Sequence, residues 1–232
     1  MTTGEVSANP APKSSRREPR RGERRWPMTL AVLTTGVLQA FLPADFRAIP
    51  QSVFLYPLFL LVFLGVLVVG DPGRIDRERR WLRVTTTLMI GFITLWTAFG
   101  AVRLVRGILI HASFTSASQL LTIGAVGWLT NVIAYSLWFW DLDAGGAAAR
   151  ASGSTRVPPA FVFPEMAHRD LVPAGWYPHY ADYLALSFHT ALAFSPTDVS
   201  AIRGWAKLLM ILESLVSLVV ATLVVARAVN IL

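Results

Sequence analysis

Four side chains near the end of the chain have types and spacing suited to handling an ion: Ser195, Thr197, Asp198 and Glu213. The first three stand in a Ser-Pro-Thr-Asp turn between a short apolar run, residues 183–194, and a long one, residues 205–232. Hydroxyls and a carboxylate in such a turn can line a constriction, and Glu213 would add an acidic group in a vestibule beside it. Glu213 stands about 12 Å along the long run at 1.5 Å per residue. An ionisable group at that depth must face a partner or a wet cavity. Two further polar residues fall inside apolar runs, Asn131 within residues 120–140 and His189 within the short run. A buried Asn is more often an interhelical hydrogen-bonding residue than a ligand group.

Other chemistries find little support. His189 with Ser187 or Ser195 is the only pairing of a base with a hydroxyl, and on a helix His189 is not beside Ser187. Walker, zincin and Gly-rich phosphate motifs are absent, so no catalytic residue is assigned and an enzyme is not expected. The six groups Asp141, Asp143, Glu165, His168, Asp170 and His179 have spacings that match no metal site. No metal and no cofactor are expected. The chain has no cysteine, which excludes disulfides, thiolate metal sites and cysteine nucleophiles.

The elements that would hold these residues are those of a membrane protein. The 232 residues are 54% apolar and 15% charged, against about 25% charged in soluble domains. Residues 1–27 are rich in Arg, Pro, Ser and Gly and read as a disordered basic tail. Four transmembrane helices are expected within residues 28–140, over 28–42, 53–69, 84–102 and 120–140. Asp71-Pro72-Gly73 breaks the second from the third, and Arg74, Arg77, Arg79, Arg80 and Arg83 form a basic loop after it. Arg103 and Arg106 share a helix face and read as snorkelling anchors. Gly124 and Gly127 lack the GxxxG spacing and give only a weak packing signal. Residues 141–182 form a polar loop, flexible around Gly145 and Gly146, then rich in aromatics and prolines as at headgroup level.

Residues 183–232 form the last unit. The run 183–194 is too short to span and has the length of a re-entrant half-helix, stopped by Pro196. An ordinary amphipathic helix at the interface fits its periodicity equally well. The fold class expected is an all-α integral membrane protein, with about five transmembrane helices plus a re-entrant half-helix before the last span.

From Trp128 onward the chain resembles a widespread family of uncharacterised bacterial integral membrane proteins, through WLTNV, WFWDLDAGG, FVFPE, DYLALSFHTALAFSPTD and the last helix. Its final two pieces also resemble the pore module of two-helix potassium channels. That resemblance places residues 188–198 on a pore helix and filter, Asp198 on the filter Asp, and Glu213 on a Glu of the inner helix. The potassium filter needs glycines so that successive carbonyls face the pore. Here the stretch is Ala193-Phe194-Ser195-Pro196-Thr197, with no glycine. The resemblance therefore implies the architecture of a pore module and not potassium selectivity.

The charge pattern sets an orientation. With the N-terminus inside and four spans before the module, 17 of the 21 Lys and Arg fall inside, and Arg47, Arg103, Arg106 and Arg227 fall outside. The module would then enter from the cytoplasmic side. The expected protein is a multi-pass protein of a bacterial inner membrane with a divergent, channel-like pore module: a weakly selective pore or a channel-related subunit. The alternative is a non-conducting scaffold or assembly partner. Membrane lipids, further copies of the chain in a homo-oligomer and monovalent ions are the expected partners; nucleic acid is not.

Overall fold

A computed structural model describes residues 21–43, 54–110, 116–154, 156–192 and 198–231. The longer helices are α1 (Trp26–Ala40), α2 (Leu55–Gly70), α3 (Arg80–Ile110), α4 (Ala117–Leu142), α7 (Tyr180–Leu192) and α8 (Gly204–Ile231), with two short helices, α5 (Ala147–Ala151) and α6 (Pro164–Ala167), between α4 and α7. Two antiparallel pairs of two-residue strands complete it: β1 (Glu23–Arg24) with β2 (Arg74–Ile75), and β3 (Phe161–Val162) with β4 (Ser200–Ala201). Among the described residues, α3, α4 with its following turn, and α8 are long and apolar enough to cross a membrane, and α2 is a shorter apolar helix. The chain is an all-α membrane protein.

Helix α4 is the centre. In its most apolar window 67% of the residues are buried, against 28% in α3 and 22% in α8. It packs against α1, α3, α7 and α8. Gly124 lets α8 come close: a Cβ there would lie 2.8 Å from Val224, inside contact distance. Gly127 has nothing within 4 Å of an added Cβ. The weak sequence signal of the two glycines thus resolves into one close approach.

Side-chain contacts set the helix directions. Ser136 meets Tyr180, Val132 meets Ser187 and Trp128 meets Phe188, so α7 runs antiparallel to α4. Ser187 meets Glu213 and the Thr190 carbonyl meets Ser214, so α7 runs parallel to α8. One end of the molecule therefore gathers the starts of α1, α3, α7 and α8 and the ends of α2 and α4.

That end departs from expectation in two places. Residues 21–27 were expected to belong to a disordered tail, yet Glu23 and Arg25 are buried and α1 starts at Trp26 with proline in its first turn. Glu23 has a role that composition does not reveal: Oε1 accepts from the Tyr180 N–H at 2.5 Å and Oε2 from Trp140 Nε1 at 2.9 Å. Arg25 pairs with buried Asp71 at 3.3 Å. Of residues 141–182, expected as a partly flexible polar loop, 141–154 and 156–182 are folded. A 3-10 turn, Asp143–Gly145, leads into α5, and Gly145 and Gly146 hold φ of +84° and +93°, which L side chains avoid. Asp143 is fully buried; Oδ1 accepts from the Ala160 N–H at 2.6 Å and Oδ2 from the Tyr183 hydroxyl. Arg150 donates to the Trp140 and Asp143 carbonyls, both at 2.7 Å, satisfying the open end of α4.

Candidate functional site

The polar residues inside the helical body gather where α4, α7 and α8 meet. Helix α7 contributes Tyr183, Leu186, Ser187 and Thr190 from one face, the spacing that places residues three and four apart together. Its N-terminus is fixed by two carboxylates. Glu23 takes the Tyr180 N–H, and Asp182 reaches back to the His179 N–H at 2.7 Å. Carboxylates here occupy open donors and sit at the positive end of the helix dipole.

Glu213 is completely buried, facing Ser187 on α7. Ser187 Oγ hydrogen-bonds the Glu213 carboxyl and also lies 2.7 Å from the Val132 carbonyl of α4. Oε2 of Glu213 is buried without a hydrogen-bond partner among the described residues. Asn131 donates to Ser217 Oγ at 3.0 Å and more weakly to the Glu213 carbonyl at 3.4 Å. Ser214 donates to the Thr190 carbonyl at 2.9 Å. One Asn, one carboxyl and four hydroxyl-bearing residues thus join three helices in an otherwise apolar body. Such groups act as interhelical glue where water is absent.

The sequence-derived residues are therefore divided. Asn131 and Glu213 are brought together. Glu213, expected to border a vestibule, is enclosed between helices of its own chain. His189 is exposed on the other face of α7, its ring beside Phe188, and does not join Ser187. Asp198 is exposed, two residues before β4. Ser195 and Thr197 lie outside the described residues. The six groups weighed as metal ligands do not assemble into a cluster among the described residues. Asp143 instead bonds backbone and Tyr183, and Asp141 accepts from Thr87 at 2.9 Å.

Three contributors escaped the sequence reading. Ser187 was weighed only as a nucleophile, although it stands on the Tyr183–Thr190 stripe and so was legible as a buried hydroxyl. Glu23 and Arg150 carry no local signal, because their partners are 157 and 10 residues away. A comparison of the chain with protein-family models, curated proteins and solved structures finds no match.

Proposed function

We propose that the chain crosses the membrane five times, through α1, α2, α3, α4 and α8, and that residues 183–232 form a re-entrant, pore-type module. In this reading copies of the chain assemble in a bacterial inner membrane into a weakly selective pore for monovalent ions, or into a channel-related subunit. The single observation that carries the reading is the path of the chain around α7. The helix runs parallel to α8 alongside Glu213, yet Ser200 pairs with Val162 near the start of both helices. A 13-residue helix advances about 20 Å, and the seven residues before Ser200 can reach about 24 Å. A half-helix in, with the chain back at the same end by Ser200, is the layout of a pore loop, and Asp198 stands just before that point.

Orientation follows from charge. Of the 16 Lys and Arg among the described residues, Arg103, Arg106 and Arg227 lie toward one end, leaving 13 toward the end where α7 and α8 start. The positive-inside rule makes the latter end cytoplasmic. A single cysteine at exposed Leu171, in the otherwise cysteine-free chain, should stay unlabelled in intact cells and react after lysis.

The function is tested by thallium flux into liposomes holding the purified protein. Flux above that of empty liposomes, reduced by Asp198→Asn, is expected. Flux equal to that of empty liposomes would sink the pore reading. The scaffold reading has its own support: Asn131 and Ser187 spend their donors on groups of neighbouring helices within the same chain. It anticipates no flux, and no reaction of Ser195→Cys or Thr197→Cys with water-soluble thiol reagents from either side.

A further inference from the structure

A second site is suggested at the end of the molecule where the basic loop lies. A cavity of about 290 Å³ opens between the end of α2, the first turn of α3, the end of α4 and α5. Its floor includes Leu67, Leu82 and Trp140, all buried. Its polar lining is unbalanced: six arginines (Arg25, Arg77, Arg79, Arg80, Arg83 and Arg156) against three carboxylates (Asp71, Glu78 and Asp141).

The carboxylates are already engaged. Asp71 pairs with Arg25 and accepts from the Asp76 and Arg77 N–H groups. Glu78 accepts from Ser152 at 2.6 Å and Asp141 from Thr87 at 2.9 Å. The side chains of Arg79, Arg80, Arg83 and Arg156 make no hydrogen bond or salt bridge among the described residues, and of the four only Arg83 stands near enough to Asp141 for the two charges to attract. Arg79, Arg80 and Arg83 also crowd the start of α3, whose first turn holds no acidic residue. Cations at the positive end of a helix repel the dipole and each other. A bound anion would reverse both effects.

We propose that this cavity binds a phosphate group, carried either by an anionic lipid headgroup or by a soluble phosphate. Several guanidinium forks around one cavity suit a tetrahedral oxyanion with several acceptor oxygens, which they can grip in pairs. The lipid source fits the location. Exposed Val69 and Val84 flank the site on the outer surfaces of α2 and α3, and Trp81 lies over Gly70. The cavity thus stands at the edge of the apolar faces, at headgroup level. The positive-inside rule asks only that basic residues be on this side. It does not ask that they converge on a cavity with a buried floor.

The test uses the full chain in neutral detergent at low ionic strength, following the thermal unfolding midpoint. The probes are dihexanoylphosphatidylglycerol, dihexanoylphosphatidylcholine and inorganic phosphate, with chloride as control. A saturable rise with the phosphatidylglycerol alone assigns the site to lipid. A rise with inorganic phosphate as well assigns it to phosphate from either source. No saturable rise with either overturns the proposal. The triple change Arg79→Gln, Arg80→Gln, Arg83→Gln should weaken apparent affinity by at least about tenfold, because each nearby cation contributes to anion attraction. Arg103→Gln with Arg106→Gln, at the other end, should leave it unchanged. Equal losses in the two variants, or full binding by a triple Arg→Lys variant, would mean a diffuse surface potential and no built site. Where the triple variant fails to fold, Ala148→Glu places a carboxylate in the cavity wall and should give the same loss; undiminished binding there would also overturn the proposal.

Discussion

The contact between Ser187 and Glu213 can be weighed by a double-mutant cycle. In the native protein the carboxyl is fully buried, Oε1 meets Ser187 and Oε2 has no partner among the described residues. Ser187→Ala strips Oε1 as well, leaving a buried polar group bare at a cost of about 1–3 kcal/mol. Val132 lies inside α4 and keeps its helical hydrogen bond, so losing Ser187 at its carbonyl adds only about 0.5–1 kcal/mol. Glu213→Leu removes the carboxyl altogether. It loses one hydrogen bond, about 0.5–1.5 kcal/mol, but relieves bare Oε2, about 1–3 kcal/mol, so its stability should stay within about 1 kcal/mol of native or rise. In the Glu213→Leu background, Ser187→Ala forfeits only its bond to Val132, about 0.5–1 kcal/mol. The Val132 bond is lost in both backgrounds and cancels, so the coupling between the two changes should be about 1–3 kcal/mol. Unfolding in mixed micelles with increasing dodecyl sulfate measures all four proteins. Costs that add to within about 0.5 kcal/mol would refute the reasoning, since non-interacting sites behave in that way.

Three further outcomes follow from single contacts and are read by the same unfolding measurement. Asp143→Ala, which abandons the Ala160 N–H and the Tyr183 hydroxyl, should cost about 3 kcal/mol, with Asp143→Asn recovering part of it. Glu23→Gln keeps the shape but removes the charge and turns an amide donor toward either the Tyr180 N–H or the Trp140 Nε1–H, so it should cost about 1–3 kcal/mol. Gly124→Ala should cost about 1–3 kcal/mol through its clash with Val224, and Val224→Ala should restore most of the loss if that contact is the cause.

Much of the architecture is legible locally because a membrane helix is specified by length and apolarity alone. Residues 120–140 and 205–232 announce themselves without any partner, and α4 and α8 follow them closely. The break at Pro72-Gly73 is equally local, since a missing N–H and a fixed φ act whatever the surroundings. Asn131 and Glu213 could be singled out because a polar group in an apolar run has to find a partner.

The partners themselves were not legible. Nothing in the order of residues says that Glu213 faces Ser187, 26 positions earlier, or that Glu23 caps a helix 157 positions later. Those pairings depend on α7 lying between α4 and α8, a packing decision spread over many weak contacts. The same holds for residues 21–27 and 141–182, whose polar composition looks like unfolded chain. They fold because Glu23, Arg25, Asp143 and Arg150 satisfy helix ends and strand N–H groups that exist only once the helices are assembled. Sequence alone determined that this chain enters a membrane and which residues must find company there. Tertiary structure alone decided which company they keep, because burial cost is a property of one residue and its relief a property of two.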